Sequence, residues 1–437
     1  MRVLALHGTK ITNLPLSGKL EALQHLSVNH CRSILKLPLS LGTLASLIEL
    51  DLSSTLIVEL PSTINELYLL RVLKIDLTFV RELPCAIWTL KRLEELHASK
   101  CRNLDGEISE DIKKLSALRV LRLGYSRIPG LPDTISELTN LQKLDLRHCD
   151  ELRKVPNLPS NLKSLSLSSK LIDTISDIST LDKLEELFLA DGSEEQGSPF
   201  ERQIEVIGCF NLWLGSLSDL KILQLSLLKI QLLPVGLHLL CKLTKLSLCC
   251  IHLKKLPKLP PGLFTLSLHQ YKSGTGLPDL SYLELLSEFE LSDCAVTEVA
   301  GLGEFKSLRV FRISHCDLQQ LDELTNLIFL ASLNVSYCRS LERLPDLSKL
   351  KKLKDIKIMG CPKIPDFESL HSLLNLLEPS SSIIEVESSS EAESSEPAYT
   401  EHSSFEGAER NYEGMLYIEI VKSELFYKIK HGFNFEM

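Results

Sequence analysis

The sequence predicts an α/β solenoid, a curved horseshoe with a parallel β-sheet on its concave face and irregular or short helical segments on the convex side. Two observations predict it. An apolar-x-apolar pair recurs with its first residue at 4, 26, 50, 73, 96, 121, 144, 165, 187, 223, 246, 266, 289, 311, 333 and 356. These sixteen repeats are spaced 20 to 25 residues apart, with one gap of 36. Three residues before each pair stands Leu, except in the first repeat, where it is Met1. Such internal periods mark a stacked array rather than a closed globule.

Each element of the repeat has a physical reason. The two-residue spacing is a short strand whose alternate side chains point inward. The three-residue spacing before it is the chain bending into that strand. A Leu-Pro pair then follows ten or eleven positions on, as in Leu37-Pro38, Leu60-Pro61, Leu83-Pro84, Leu131-Pro132, Leu233-Pro234, Leu256-Pro257 and Leu344-Pro345. Proline cannot donate to a sheet ladder, so it belongs on the irregular return path. One coil cannot bury its own leucines, whereas a stack of coils shares one apolar core.

The domain organisation follows from the same register. Residues 1–377 form the solenoid of about sixteen repeats, with an insertion at 191–219 where the gap falls. Residues 378–410 are rich in Ser and Glu and poor in large apolar residues, a composition that predicts a disordered linker. Residues 411–437 alternate Leu416, Ile418 and Ile420 and then carry Phe426, Tyr427 and Ile429, a pattern that admits a β-hairpin. The chain's formal charge of −9 resides in its last sixty residues, which hold 13 Glu against 4 Lys and Arg. The preceding 377 residues balance at 44 acidic and 44 basic, which gives no reason to expect nucleic-acid binding. No apolar run is long enough for a membrane span, and no secretory signal follows Met1, so a cytoplasmic setting is expected.

The repeat LxxLxLxxC/TxxxxxLPxxIxxL resembles the leucine-rich repeats of plant intracellular disease-resistance proteins, the nucleotide-binding leucine-rich-repeat class. The stretches ELPSTINELYLLRVLKIDLTFVRELP (59–84) and SLNVSYCRSLERLPDLSKLKKLKDIKIMGCPKIPDF (332–367) carry the resemblance best. It implies a non-enzymatic recognition module of plant innate immunity whose partner is a pathogen effector or a guarded host protein. It also implies an upstream nucleotide-binding domain as a further partner. No GxxxxGK[ST] phosphate loop occurs here, so that family's ATP/ADP switch is not assigned to this chain. The first repeat begins at Met1 without a polar cap, which reads as a truncated product or a fragment covered by its upstream partner. The alternative function is an intracellular leucine-rich-repeat signalling scaffold.

Chemistry-bearing residues are sparse. Cys31, Cys101, Cys149, Cys294, Cys316, Cys338 and Cys361 each lie five residues after the first strand residue of a repeat. Thr9, Thr55, Thr78 and Ser126 take that place in other repeats. A small side chain turned inward to bond the backbone fits there, so these cysteines read as reduced and structural. The pairs His30-Cys31, His148-Cys149 and His315-Cys316 sit on distant repeats and do not meet around a metal. No cofactor site and no catalytic triad is expected.

The candidate binding surface is the concave face. Its residues fall into two groups on either side of a serine-rich middle: Asp51, Lys74, Asp76, His97, Arg122, Tyr125, Asp145 and Arg147, then Glu290, Arg312, Asn334, Tyr337 and Lys357. Mixed charge with tyrosine and arginine is hot-spot chemistry for protein partners. A second reading pairs Asp51 with Lys74, Arg122 with Asp145 and Glu290 with Arg312 across neighbouring strands.

Overall fold

The leucine register dictates what the computed structural model contains. It describes residues 1–364, apart from 15, 17–19, 172–173, 176, 191–215, 228–229 and 274–275, and beyond them the backbone of 385–386, 417–421 and 426–430. At 174–175 only the backbone is described. The insertion expected at 191–219 therefore lies outside the described residues up to 215, as does most of the expected linker.

The chain divides into two units. The first comprises Met1–Cys250 with Pro257–Pro260, and the second Ile251–Leu256 with Pro261–Met437. In the first unit the strands Val3–Ala5 (β1), His25–Ser27 (β2), Glu49–Asp51 (β3), Val72–Lys74 (β4), Glu95–His97 (β5), Val120–Arg122 (β6) and Lys143–Leu146 (β7) pair in parallel, each with the next. Strands Ser164–Ser168, Glu186–Ala190, Ile222–Ser226 and Lys245–Cys249 continue the sheet. In the second unit Thr265–His269, Glu288–Ser292, Val310–Ser314, Ser332–Ser336 and Asp355–Met359 pair in parallel in the same way. The last of them also pairs antiparallel with Tyr417–Val421, which pairs antiparallel with Phe426–Lys430.

The strands pair leucine on leucine. Leu26 is opposite Leu50, Leu50 opposite Leu73, and so on to Leu165 opposite Leu187; Phe289 is opposite Phe311 in the second unit. A slip of one residue would turn every one of these side chains to the other face. Burial removes them from water almost completely, with Leu50, Leu73, Leu96 and Leu144 at 0% exposure. Each such side chain contributes about 1.5–3 kcal/mol.

The return path is helical where proline starts it. Short 3-10 turns follow Pro38, Pro61, Pro84, Pro132 and Pro234, each proline holding an extended ψ at the helix start. Each turn buries at least one apolar residue against the core: Leu41, Ile64, Ile87 with Trp88, and Ile135 in the first four. A proline at this point loses no hydrogen bond, because the first N–H groups of a helix have no partner within it.

Candidate functional site

The residue between the two buried positions of each strand faces away from the core, and pairing brings these residues into one column per unit. Asp51, Lys74, His97, Arg122 and Asp145 stand side by side on β3 to β7. Asp76, Tyr125 and Arg147 follow just past their strands. In the second unit Glu290, Arg312, Asn334 and Lys357 stand side by side, and Tyr337 follows its strand. The two groups predicted from sequence thus lie in different units.

The cross-strand pairings expected within these groups do not form; the bonds go elsewhere. Lys74 Nζ donates to Glu49 Oε1 at 2.6 Å rather than to Asp51. Asp51 instead accepts the backbone N–H of Ser53 at 3.0 Å. Asp145 is 4% exposed and takes a two-point bond from Arg147, at 3.0 Å from Nε and 2.7 Å from Nη2, rather than one from Arg122. Glu290 accepts from Ser267 Oγ at 3.4 Å instead of from Arg312, which is exposed. For Lys74 the cause is reach: a long side chain leans along the strand and meets a diagonal neighbour as easily as a direct one.

Two electrostatic consequences follow. The hydrogen bond from Lys74 holds the Glu49 carboxyl below its ordinary range, and the same bond raises Lys74. Burial raises Asp76, although its Oδ1 accepts the backbone N–H of Ser99 at 2.6 Å. Arg122 is left with its Nε buried and without a hydrogen-bond partner.

Sequence reasoning missed a second column. The fourth residue after the first apolar strand position adopts the left-handed conformation in the first seven repeats: Gly8, His30, Ser54, Leu77, Lys100, Tyr125 and His148. The last five repeats do the same with Gln270, Asp293, His315, Tyr337 and Gly360. Their φ angles run from +51° for His315 to +65° for the two glycines. For a residue other than glycine this costs roughly 1–2 kcal/mol. The turn keeps the N–H in the ladder, as where Tyr125 N donates to Arg147 O at 2.6 Å. It also swings the next side chain inward. There Thr55 and Thr78 donate to Leu52 O and Ile75 O at 2.7 Å, and Cys101 Sγ donates to Ile75 O at 3.0 Å.

Because left-handed residues on successive repeats lie one strand spacing apart, their rings stack. Tyr125 and His148 stack with centroids 4.3 Å apart, and Lys100 Nζ lies 5.9 Å from the Tyr125 centroid. His315 and Tyr337 stack at 4.8 Å. His148, His315 and Lys100 therefore belong to the candidate surface beside the predicted tyrosines. The signal that could have found them is the residue immediately before the Cys/Thr/Ser column.

The inward thiols are shifted by burial and by one another. Burial pushes Cys149 up to about 11 and also raises Cys101. The bonds Cys316–Cys294 and Cys361–Cys338 raise the first thiol of each pair and lower the second. Among the described residues no three His, Cys, Asp or Glu side chains converge to hold a metal ion. An open depression of about 420 Å³ is bordered by Arg71, Lys91, Arg92 and Glu94. No helix among the described residues is long and apolar enough to cross a membrane.

Comparison with solved structures fits this architecture. An LRR protein of Leptospira interrogans superposes with a TM-score of 0.58 at 23% identity, covering 86% of this chain and 88% of its own. The functional domain of InlJ from Listeria monocytogenes, which includes a cysteine ladder, superposes at 0.55 with 19% identity, over 86% of this chain and 72% of its own. The chain is a leucine-rich-repeat solenoid. No family model matches it. Its sequence is similar to an Arabidopsis thaliana protein described as a "putative disease resistance protein", 34% identical over 224 residues and 50% of this chain. The solenoid spans 16% of the length of that relative. The repeats are thus those of a leucine-rich-repeat region like that of resistance-type proteins.

Proposed function

We propose that this solenoid is a non-enzymatic protein-recognition module of plant innate immunity, acting in the cytoplasm. Its sheet face senses a pathogen effector or a guarded host protein, and an upstream nucleotide-binding domain reads out the event. The observation that carries the reading is the column Asp51, Lys74, His97, Arg122 and Asp145, held in register on a rigid parallel sheet with Tyr125 and Arg147 at its margin. Tyrosine and arginine on a broad preformed face suit a protein partner, and rigid placement lowers the ordering cost of binding. The similarity to a resistance-type protein supports the immune setting.

The test is a charge-reversal scan of Lys74, Arg122, Arg312 and Lys357, with partner capture from plant extract and a defence readout in leaf tissue. At least one reversal is expected to abolish capture and response together. Capture that is indifferent to all four would overturn the sheet face as the docking surface.

A further inference from the structure

The last repeat does not end as the first begins. β1 pairs with β2 on one side and, among the described residues, with no strand on the other, and its Leu4 is only half-buried. Asp355–Met359 is the last strand of the repeats, yet its Ile356 and Ile358 are 6% and 1% exposed. Its outer edge is taken by Tyr417–Val421, which runs antiparallel and carries the alternation on. Ile420 is the register partner of Ile356, Ile418 of Ile358 and Glu419 of Lys357. Phe426–Lys430 repeats the pattern, with Ile429 opposite Ile418 and Lys428 opposite Glu419. Apolar positions thus meet apolar ones, and opposite charges hold the facing positions between them. Both favour this register over a slip of one residue.

Backbone direction fixes which groups are at stake. Asp355 N donates to Ala331 O, back toward the preceding strand Ser332–Ser336. Successive N–H groups of a strand point to opposite sides, so Ile356 and Ile358 aim theirs at Tyr417–Val421. An edge left with such groups bare is a template for another chain, and the terminal repeat of a solenoid needs a cover. We infer that the edge of Asp355–Met359 is a strand-accepting site whose occupant is Tyr417–Val421 of the same chain. The hairpin of Tyr417–Val421 and Phe426–Lys430 is a cap. It completes the backbone bonding of Ile356 and Ile358 and keeps a second copy of the chain from pairing there. The cap is independent of what the sheet face binds.

Hydrogen exchange of the full chain, read at single amides, tests this together with sedimentation velocity. In the parent chain the amides of Ile356 and Ile358 should exchange slowly, at a rate independent of protein concentration. Ile418→Pro with Ile420→Pro removes both facing donors and should speed exchange at those two amides roughly tenfold or more. Unchanged exchange in Ser332–Ser336 shows that the preceding repeats stay folded. The same variant should self-associate at concentrations where the parent is monomeric. Glu419→Lys is the milder variant: it sets like charges opposite Lys357 and Lys428 without touching the ladder, and should speed the same amides by a smaller factor. Equal exchange in the parent and both variants would overturn the occupant. Protection that grows with the parent's concentration would assign the strand to a second copy and overturn the same-chain cap. A deprotected variant that stays monomeric would overturn the guarding role.

Discussion

The ring of Tyr337 covers Gly360 so closely that a Cβ on the glycine would stand 2.5 Å from Tyr337 Cδ1. On its other side the same ring stacks on His315. The left-handed column of the second unit therefore ends in a ring clasped between an imidazole and a bare backbone. Gly360 is doubly required, for its φ of +65° and for the ring above it.

Gly360→Ala should destabilise the second unit by about 2 kcal/mol, combining roughly 1 kcal/mol of left-handed strain with loss of the ring stack. In a Tyr337→Gly background the same substitution should cost only about 1 kcal/mol, since no ring remains to be displaced. Hydrogen exchange at Asp355–Met359 reads the effect locally, which suits a repeat array whose unfolding need not be all-or-none. Equal costs in both backgrounds would show that the ring is not what the methyl group meets.

Ser54 tests the column where no stack compensates. It holds φ at +58°, and its N–H donates to Asp76 O at 2.8 Å. Ser54→Gly should therefore stabilise the chain by up to about 1 kcal/mol, the reverse of glycine's usual effect inside regular structure. Ser54→Val should destabilise by more than about 1 kcal/mol, because a β-branched residue is a genuine outlier there. Urea denaturation of the two variants against the parent gives both signs.

The fold was legible because the leucine period is enforced by burial: any strand that lost register would expose Leu50 or Leu73 to water. The face was legible for the same reason, since the residue between two buried positions must point outward. The partners on that face were not. Lys74 and Glu49 meet diagonally, and Arg147 reaches back to Asp145 two residues earlier, geometries that strand alternation does not encode. The left-handed column was hidden by its residue types. His, Ser, Leu, Lys, Tyr, Gln and Asp occupy a conformation for which glycine is the familiar marker. The pairing with the next strand and the inward bond of the following Thr or Cys impose the turn, overriding local preference.

Cys149 makes stability depend on alkaline pH. Its thiol is ordinarily near 9 and is pushed to about 11 by burial in the folded chain. Between those values the unfolded chain releases a proton that the folded chain keeps, so stability falls as pH rises from 9 towards 11. The loss at the upper end is about 2–3 kcal/mol for this thiol alone. Cys149→Ser should flatten that part of the profile. A thiol reagent such as dithionitrobenzoate at pH 8 should label exposed Cys85 and Cys241 quickly and Cys149 only on unfolding.

Asp145 and Arg147 give the sharpest energetic test of the face itself. The carboxylate is nearly out of water, whereas the guanidinium is about half exposed, its side chain at 48%. Arg147→Ala strands the carboxylate with the backbone N–H of residue 147 as its remaining donor, at 3.1 Å. Breaking a fully buried pair costs about 3–5 kcal/mol, and solvent at the arginine reduces this to about 2 kcal/mol. Asp145→Asn removes the charge that needs pairing, so Arg147→Ala in that background should cost well under 1 kcal/mol. The coupling from the double-mutant cycle should therefore exceed about 1 kcal/mol and shrink little in molar salt, because screening acts weakly on a buried carboxylate. A coupling near zero would mean that Asp145 is held by the backbone alone, and the Arg147 head would then be free to meet a partner.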